Sequence, residues 1–157
     1  MMKVASVKDF KIELTNRSHD ELREIILHLA KFKKENKELL TYLLYEARDE
    51  EAYIRNAKLE MDVLFSDFNT SHMYFVKKHV RKILRLTKNL IRYSKKKQTE
   101  VELLIHFCRR LNNMNPSVDN EPAMQKLLHR QLDLIRKSLN SLHEDLRFDY
   151  EQELETI

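Results

Sequence analysis

The chain contains no glycine among its 157 residues and only two prolines. Phosphate-binding loops need glycine because their backbone approaches the ligand closely and adopts positive φ. The dinucleotide-binding fingerprint, the P-loop, the kinase glycine-rich loop and the nucleophile elbow of the α/β-hydrolases are therefore excluded as motifs. Tight β-hairpins favour Asn-Gly or Asp-Gly, so the composition also disfavours a β-meander or a β-sandwich.

Apolar residues recur at helical spacing along most of the chain, which predicts an all-α protein with about six antiparallel helices in a multihelical bundle. The predicted helices cover residues 18–32, about 36–47, about 49–67, about 71–97, about 99–112, and a last helix from near Pro122. That last helix is expected to stop near His143 or to continue toward Leu154. No internal repeat has a constant period, so an irregular, HEAT-like pairing of helices stays open.

Local signals support individual helices within this prediction. Ser18 and Glu21 are three residues apart and match a capping box, which starts a helix at Ser18. The apolar residues of this first firm helix are Leu22, Ile25, Ile26, Leu29 and Phe32. The third helix carries a heptad seam with 3, 4, 3, 4 spacing, made by Ile54, Ala57, Met61, Leu64 and Phe68.

The length fits one domain over residues 1–157, with a weakly ordered lead-in over residues 1–17 and an acidic C-terminal segment over residues 144–157. No apolar run approaches the roughly 20 residues that span a bilayer, and the first residues lack the apolar core of a signal peptide. The single cysteine, Cys108, cannot form an intrachain disulfide and fits a reducing compartment. We therefore expect a cytoplasmic protein without a membrane partner.

Charge is distributed unevenly, although the net charge is only +4. Residues 68–99 contain ten Lys and Arg and no acid, whereas residues 144–157 contain six acids and one base. On a helix, nine of the ten bases fall within an arc of about 140°, opposite the apolar residues. These nine residues, named the basic stripe here, are Lys77, Lys78, Arg81, Lys82, Arg85, Lys88, Arg92, Lys95 and Lys96.

An ordinary exposed helix mixes charge signs to gain i,i+4 pairs, whereas the charges of the basic stripe repel one another. We interpret the stripe as a binding surface for an acidic protein partner or for the chain's own second copy in a dimer. The alternative is a non-specific nucleic-acid-binding module that uses the same residues on phosphates. That alternative rests on charge alone, because only Tyr74 lies within the basic arc, with Phe75 and Tyr93 at its boundary. A further interpretation is a solvated face whose charges are neutralised by acids of a neighbouring helix or of residues 144–157.

No group of residues typical of an enzyme is present, so we expect a non-enzymatic protein with no cofactor and no metal. Ferritin-like metal sites need Glu-x-x-His, and no Glu stands three residues before any His. Glu102 and His106, at i and i+4, are interpreted as a surface pair, as are Glu24 and His28. Cys108 lies on an apolar helix face, which is typical of a buried small hydrophobe rather than a catalytic thiol.

Three runs of sequence carry a resemblance to a known family. They are Phe32-Lys33-Lys34-Glu35-Asn36-Lys37-Glu38-Leu39-Leu40, Ile91-Arg92-Tyr93-Ser94-Lys95-Lys96-Lys97 and Glu100-Val101-Glu102-Leu103-Leu104. With these runs the chain resembles an uncharacterised family of small all-helical bacterial proteins with no assigned activity. The resemblance extends over most of the chain, and it implies a multihelical fold with no catalytic residue to carry over.

Overall fold

The computed structural model describes residues 1–157 and contains helices but no strand, which confirms the all-α prediction. There are eight α-helices rather than about six: α1 Val7–Thr15, α2 His19–Phe32, α3 Lys34–Thr41, α4 Glu50–Ser66, α5 Met73–Ser94, α6 Lys97–Asn112, α7 Pro122–Leu139 and α8 Glu144–Leu154. None of them combines the length and the apolar character needed to cross a bilayer. The chain divides into two compact units, Met1–Thr41 and Tyr42–Ile157.

The first unit contains α1, α2 and α3. The predicted capping box at the start of α2 is confirmed, because the Ser18 hydroxyl accepts from the Glu21 N–H and the Glu21 carboxylate accepts from the Ser18 N–H. A second capping box starts α1, within the segment where we expected a weakly ordered lead-in. Helices α2 and α3 pack together, and Ala30 is the unit's one buried residue. Its helices therefore form without a substantial core of their own.

In the second unit, α6 lies at the centre and contacts α4, α5 and α7. Its buried residues span about two thirds of the helix circumference at 100° per residue. They are Thr99, Val101, Leu103, Leu104, Ile105, Phe107, Cys108 and Leu111. A helix that is apolar around most of its circumference is typical of a core position. The predicted seam of α4 faces this core through Ile54, Ala57 and Met61, all buried. The core of the unit is therefore organised around α6.

The helix predicted over about residues 36–47 is present, but it changes from α-helical to π-helical geometry in its second half. Helix α3 ends at Thr41, and residues Tyr42–Glu46 form a π-helical turn in which the Ala47 N–H donates to the Tyr42 carbonyl at 2.9 Å. Tyr42 is buried, and its ring packs edge-on against Tyr53 with centroids 4.7 Å apart. These contacts stabilise the wider turn, whose hydrogen-bond geometry is uncommon in isolation.

The C-terminal helix is interrupted at the earlier of the two predicted positions. Helix α7 stops at Leu139, and after a short turn His143 caps a separate helix, α8, by accepting from the Asp145 N–H at 3.4 Å. Tyr150 of α8 is buried, and its hydroxyl donates to Glu102 of α6 at 2.8 Å. With α1, this separate α8 accounts for the higher number of helices.

We expect Leu104→Ala to destabilise the Tyr42–Ile157 unit by about 2–5 kcal/mol, because Leu104 is almost fully buried on α6 and its truncation leaves a cavity. The matched control is Leu59→Ala on the exposed side of α4, where the cost should stay within about 0.5 kcal/mol. Urea unfolding followed by circular dichroism measures both values. Equal losses for the two variants would contradict the central placement of α6.

Candidate partner-binding face of helix α5

Helix α5 is strongly two-sided. Its buried side includes Val76, Val80, Ile83 and Thr87, none of which has any exposed surface. The helix begins after His72, whose ring Nδ1 accepts from the Tyr74 N–H at 3.1 Å, close to the predicted start at about residue 71. Because the apolar side of α5 packs on the core, its opposite side, which carries the cations, faces solvent.

The helix that carries the basic stripe was predicted to end near residue 97, and this predicted end is wrong. The helix ends at Ser94, Lys95 adopts a left-handed conformation with φ of 59°, and Lys96 is the N-cap residue of α6. A left-handed residue ends the helical hydrogen-bond ladder, and glycine usually fills this position. Lysine fills it in a chain without glycine. The 22 residues of α5 extend about 33 Å at 1.5 Å per residue, so Lys95 and Lys96 follow the helix rather than continue it.

Two members of the basic stripe are neutralised by acids from distant parts of the chain. The Lys77 Nζ lies 2.9 Å from Glu121, and the Lys96 Nζ lies 3.0 Å from Glu50. The other seven are exposed and form no ion pair. These free cations, as they are named below, are Lys78, Arg81, Lys82, Arg85, Lys88, Arg92 and Lys95. The chain's own carboxylates therefore neutralise residues near the two ends of the basic stripe and leave its middle open.

The acidic C-terminal segment does not neutralise the basic stripe within this chain. Its ordered contacts are with α6, where Glu153 pairs with Arg109 at 3.0 Å and the Ile157 carbonyl accepts from Asn112 at 2.8 Å. Glu151 pairs within α8 with Arg147. The interpretation in which residues 144–157 cover the stripe of their own chain is therefore wrong.

Glu50 of α4 holds the junction between α5 and α6. Its carboxylate accepts hydrogen bonds from the hydroxyls of Tyr42, Ser94 and Thr99 and pairs with Lys96. Burial raises the pKa of this carboxyl, but the four partners together favour the ionised form more strongly and hold the pKa below its ordinary value. Sequence reasoning missed Glu50, because its partners lie 44 residues or more away on α5 and α6 and eight residues away at the π-helical turn.

Two aromatic side chains stand beside the free cations at the start of α5. Tyr74 is 59% exposed and Phe75 is 44% exposed, and their rings pack edge-on with centroids 5.5 Å apart. They border an open depression of about 530 Å³ whose other lining residues are Asn69, Lys78, His79, Arg81, Lys82 and Arg85. The sequence had placed Tyr74 in the basic arc and Phe75 at its boundary. This surface therefore combines π-faces with four free cations.

The residues weighed for metal binding or catalysis have other partners. Glu102 and His106 were expected to pair with one another, but both reach α4: Glu102 contacts Lys58 and His106 contacts Asp62, each at 2.7 Å. Cys108 is fully buried, as predicted, and burial raises the pKa of its thiol to about 12. No group of three or more His, Cys, Asp or Glu side chains is placed to share a metal ion.

No protein-family model matches this sequence, and comparisons with curated proteins and with solved structures give no match. The resemblance noted from the sequence therefore carries no functional assignment. The geometry of α5 and its surroundings is what supports a function.

We expect Glu50→Gln to lower the free energy of unfolding by about 1–3 kcal/mol near neutral pH, because four donors lose their charged acceptor. The folded-state pKa of Glu50 lies below its unfolded value, so the carboxylate contributes stability above the unfolded pKa and loses it as pH falls through the folded pKa. The difference between variant and wild type should therefore shrink as the pH is lowered.

The control is Glu51→Gln, which changes an exposed neighbour without an ion pair. Urea unfolding of both variants at about pH 7 and about pH 3 provides the measurement. A Glu50→Gln protein that matches wild type at neutral pH would rule out Glu50 as the anchor of the α5–α6 junction.

Proposed function

We propose that the protein is a non-enzymatic interaction protein that holds an acidic protein partner on the seven free cations. The observation that carries this proposal is the absence of any acid within ion-pair distance of seven exposed cations near one helix surface. The chain contains 25 Asp and Glu residues, yet none of them pairs with these seven.

The energetics of α5 support a partner rather than solvation alone. Like charges one helical turn apart destabilise a helix by about 0.2–0.5 kcal/mol per pair. Lys78 with Lys82, Arg81 with Arg85 and Lys88 with Arg92 are such pairs. An acidic partner removes this repulsion on binding, and a surface of one sign accelerates the encounter at low salt.

Exposed acids of the C-terminal segment, residues 144–157, make a second copy of this chain one partner of suitable charge. Glu144, Asp149 and Glu155 are exposed and form no ion pair. A contact between α8 of one copy and α5 of another would be electrostatic. It would therefore disperse as salt is added.

The triple variant Arg81→Glu, Arg85→Glu and Lys88→Glu should bind a fluorescent poly-glutamate peptide roughly tenfold or more weakly than wild type at low salt. Three attractive contacts become repulsive, and each exposed pair contributes about 0.2–1 kcal/mol. Fluorescence anisotropy measures the affinity, and circular dichroism should show unchanged helix content because these side chains are exposed.

The matched control is a second triple variant, which combines Lys126→Glu, Arg130→Glu and Lys137→Glu. It makes the same change in net charge at exposed positions of α7. It should leave the affinity for the peptide within about twofold of wild type if position on the protein governs binding. Equal losses for both triple variants, or no binding by wild type at low salt, would defeat the proposal.

A second candidate function is single-stranded nucleic acid binding, which the exposed pair Tyr74 and Phe75 favours. Proteins that bind single strands without sequence preference combine a cationic groove with aromatic rings on which bases stack. The depression beside Tyr74 supplies both, with four free cations around two exposed rings. This function would use the same part of α5 on phosphates and bases instead of carboxylates.

For this second function, Tyr74→Ala with Phe75→Ala should weaken binding of a single-stranded oligonucleotide by roughly tenfold, because stacking contributes about 1–3 kcal/mol per base. Poly-glutamate binding should be unchanged. Phe148→Ala, which removes an equally exposed ring on α8, is the control. A wild type that does not bind the oligonucleotide at low salt would exclude a stacking site. An affinity for the oligonucleotide that is the same in the double variant as in wild type would also exclude it.

A further inference from the structure

Exposed aromatic rings occur at only one end of the basic surface that α5 presents. Tyr74 and Phe75 lie at the start of the helix and are 59% and 44% exposed. Tyr93, which is the one other Tyr or Phe of α5, lies at the far end and is buried. The C-terminal half of the helix therefore carries free cations without an exposed ring of its own.

The depression beside Tyr74 and Phe75 is already formed before any partner binds. One of its lining residues, His79, donates from Nε2 to the Leu64 carbonyl at 2.7 Å and stacks on the Phe68 ring with centroids 4.5 Å apart. The two exposed rings contact each other edge-on. Side chains that are held in place lose little freedom when a ligand binds, which favours affinity. The volume of about 530 Å³ leaves room for one large side chain.

The free cations follow the two rings along the sequence and do not precede them. Four of them line the depression, namely Lys78, Arg81, Lys82 and Arg85. Before the rings, residues 68–73 contain no Lys or Arg, and just after them Lys77 is already neutralised by Glu121. A partner seated in the depression therefore meets free cations of α5 in one direction, toward the C-terminal end of the helix.

An aromatic side chain suits this depression better than an aliphatic one. Aromatic rings attract one another in edge-on or offset-stacked arrangements, and the exposed rings of Tyr74 and Phe75 allow such contacts. A cation is also attracted to the face of a ring within about 6 Å of its centre, and lysine and arginine side chains surround the depression. A leucine in the same place would gain from burial alone.

The placement of the rings at one end favours a protein segment over a single nucleic-acid strand. A strand carries a base at every phosphate, and proteins that bind it without sequence preference supply rings along its path. Here the cations continue for about 26 Å beyond Phe75, as far as Arg92, without a further exposed ring of α5. A small anion would contact only the cations near the depression. A peptide with one aromatic residue followed by acids matches both parts of the surface.

We propose that the acidic partner of α5 carries a large aromatic side chain at one end of its acidic run, and that the depression beside Tyr74 and Phe75 binds this side chain. The inference rests on the proposed function, because it specifies which acidic segments the free cations hold. At about 3.3 Å per extended residue, about eight acidic residues after the aromatic one reach Arg92. The segment that α5 recognises is therefore about nine residues long.

Calorimetric titration of wild type with three unlabelled peptides at low salt tests the inference. The first peptide is one tryptophan followed by eight glutamates, the second has alanine in place of tryptophan, and the third has the tryptophan in the middle of the eight glutamates. All three have the same net charge when their ends are blocked, and none carries a dye whose rings could enter the depression. The first peptide should bind about tenfold more tightly than the other two, because it alone places a ring in the depression and all its acids beside the cations.

The double variant Tyr74→Ala with Phe75→Ala should remove the advantage of the terminal tryptophan, while its affinity for the alanine peptide stays within about twofold of wild type. The matched control is Phe148→Ala, which removes an equally exposed ring from α8 and should keep the advantage. Circular dichroism checks the helix content of each variant. If the double variant loses helix, Tyr74→Ala alone should still reduce the advantage, because it truncates the more exposed ring.

The possible results distinguish this inference from the proposed function. Equal binding of the first two peptides by wild type would overturn the inference and leave the proposed function intact. Equal binding of the first and third peptides would contradict the terminal position of the aromatic residue. Absence of binding by all three would remove the proposed function, and the inference with it. If a single-stranded oligonucleotide of nine nucleotides binds more tightly than the first peptide and loses this affinity in the double variant, the rings serve bases and the inference is wrong.

Discussion

Burial of α6 over most of its circumference is the constraint on which the Tyr42–Ile157 unit depends. Helices α4, α5 and α7 contact it with their apolar sides, and the buried Tyr150 ring of α8 reaches it through a hydrogen bond to Glu102. Because each surrounding helix has one apolar side, the rotation of each about its own axis is determined by contact with the core. For α5 this rotation directs every free cation of the helix outward. The exposed charge of α5 is thus a consequence of packing on its opposite side.

Periodicity predicted α4, α5 and α6 well because their apolar residues face a real core. The same reasoning failed where a single residue ends a helix. Lys95 terminates α5 in a left-handed conformation, and no sequence rule favours lysine there over its neighbours. The π-helical turn and the break before α8 are accompanied by side-chain contacts between elements, from Tyr42 to Glu50 of α4 and from Tyr150 to Glu102 of α6. Such contacts leave no periodic signal in the local sequence.

The sequence predicted which cations make up the basic stripe, but it did not predict which of them form ion pairs. A stretch of 32 residues without an acid, 68–99, already indicates an unneutralised helix face. Which cations stay free depends on Glu50 and Glu121, each 44 or more residues distant from the lysine it pairs with. The exposure of Tyr74 and Phe75 also had to come from the structure, since the helical arc placed Phe75 at its margin.

The number of free cations on α5 matters more than the strength of any one of them. An exposed charge pair contributes at most about 1 kcal/mol and is screened by salt. Binding on α5 therefore depends on several such pairs acting together. Seven cations without an ion pair lie near one helix surface, so an acidic partner whose charges are spread along an extended segment can engage more of them than a partner with a single carboxylate.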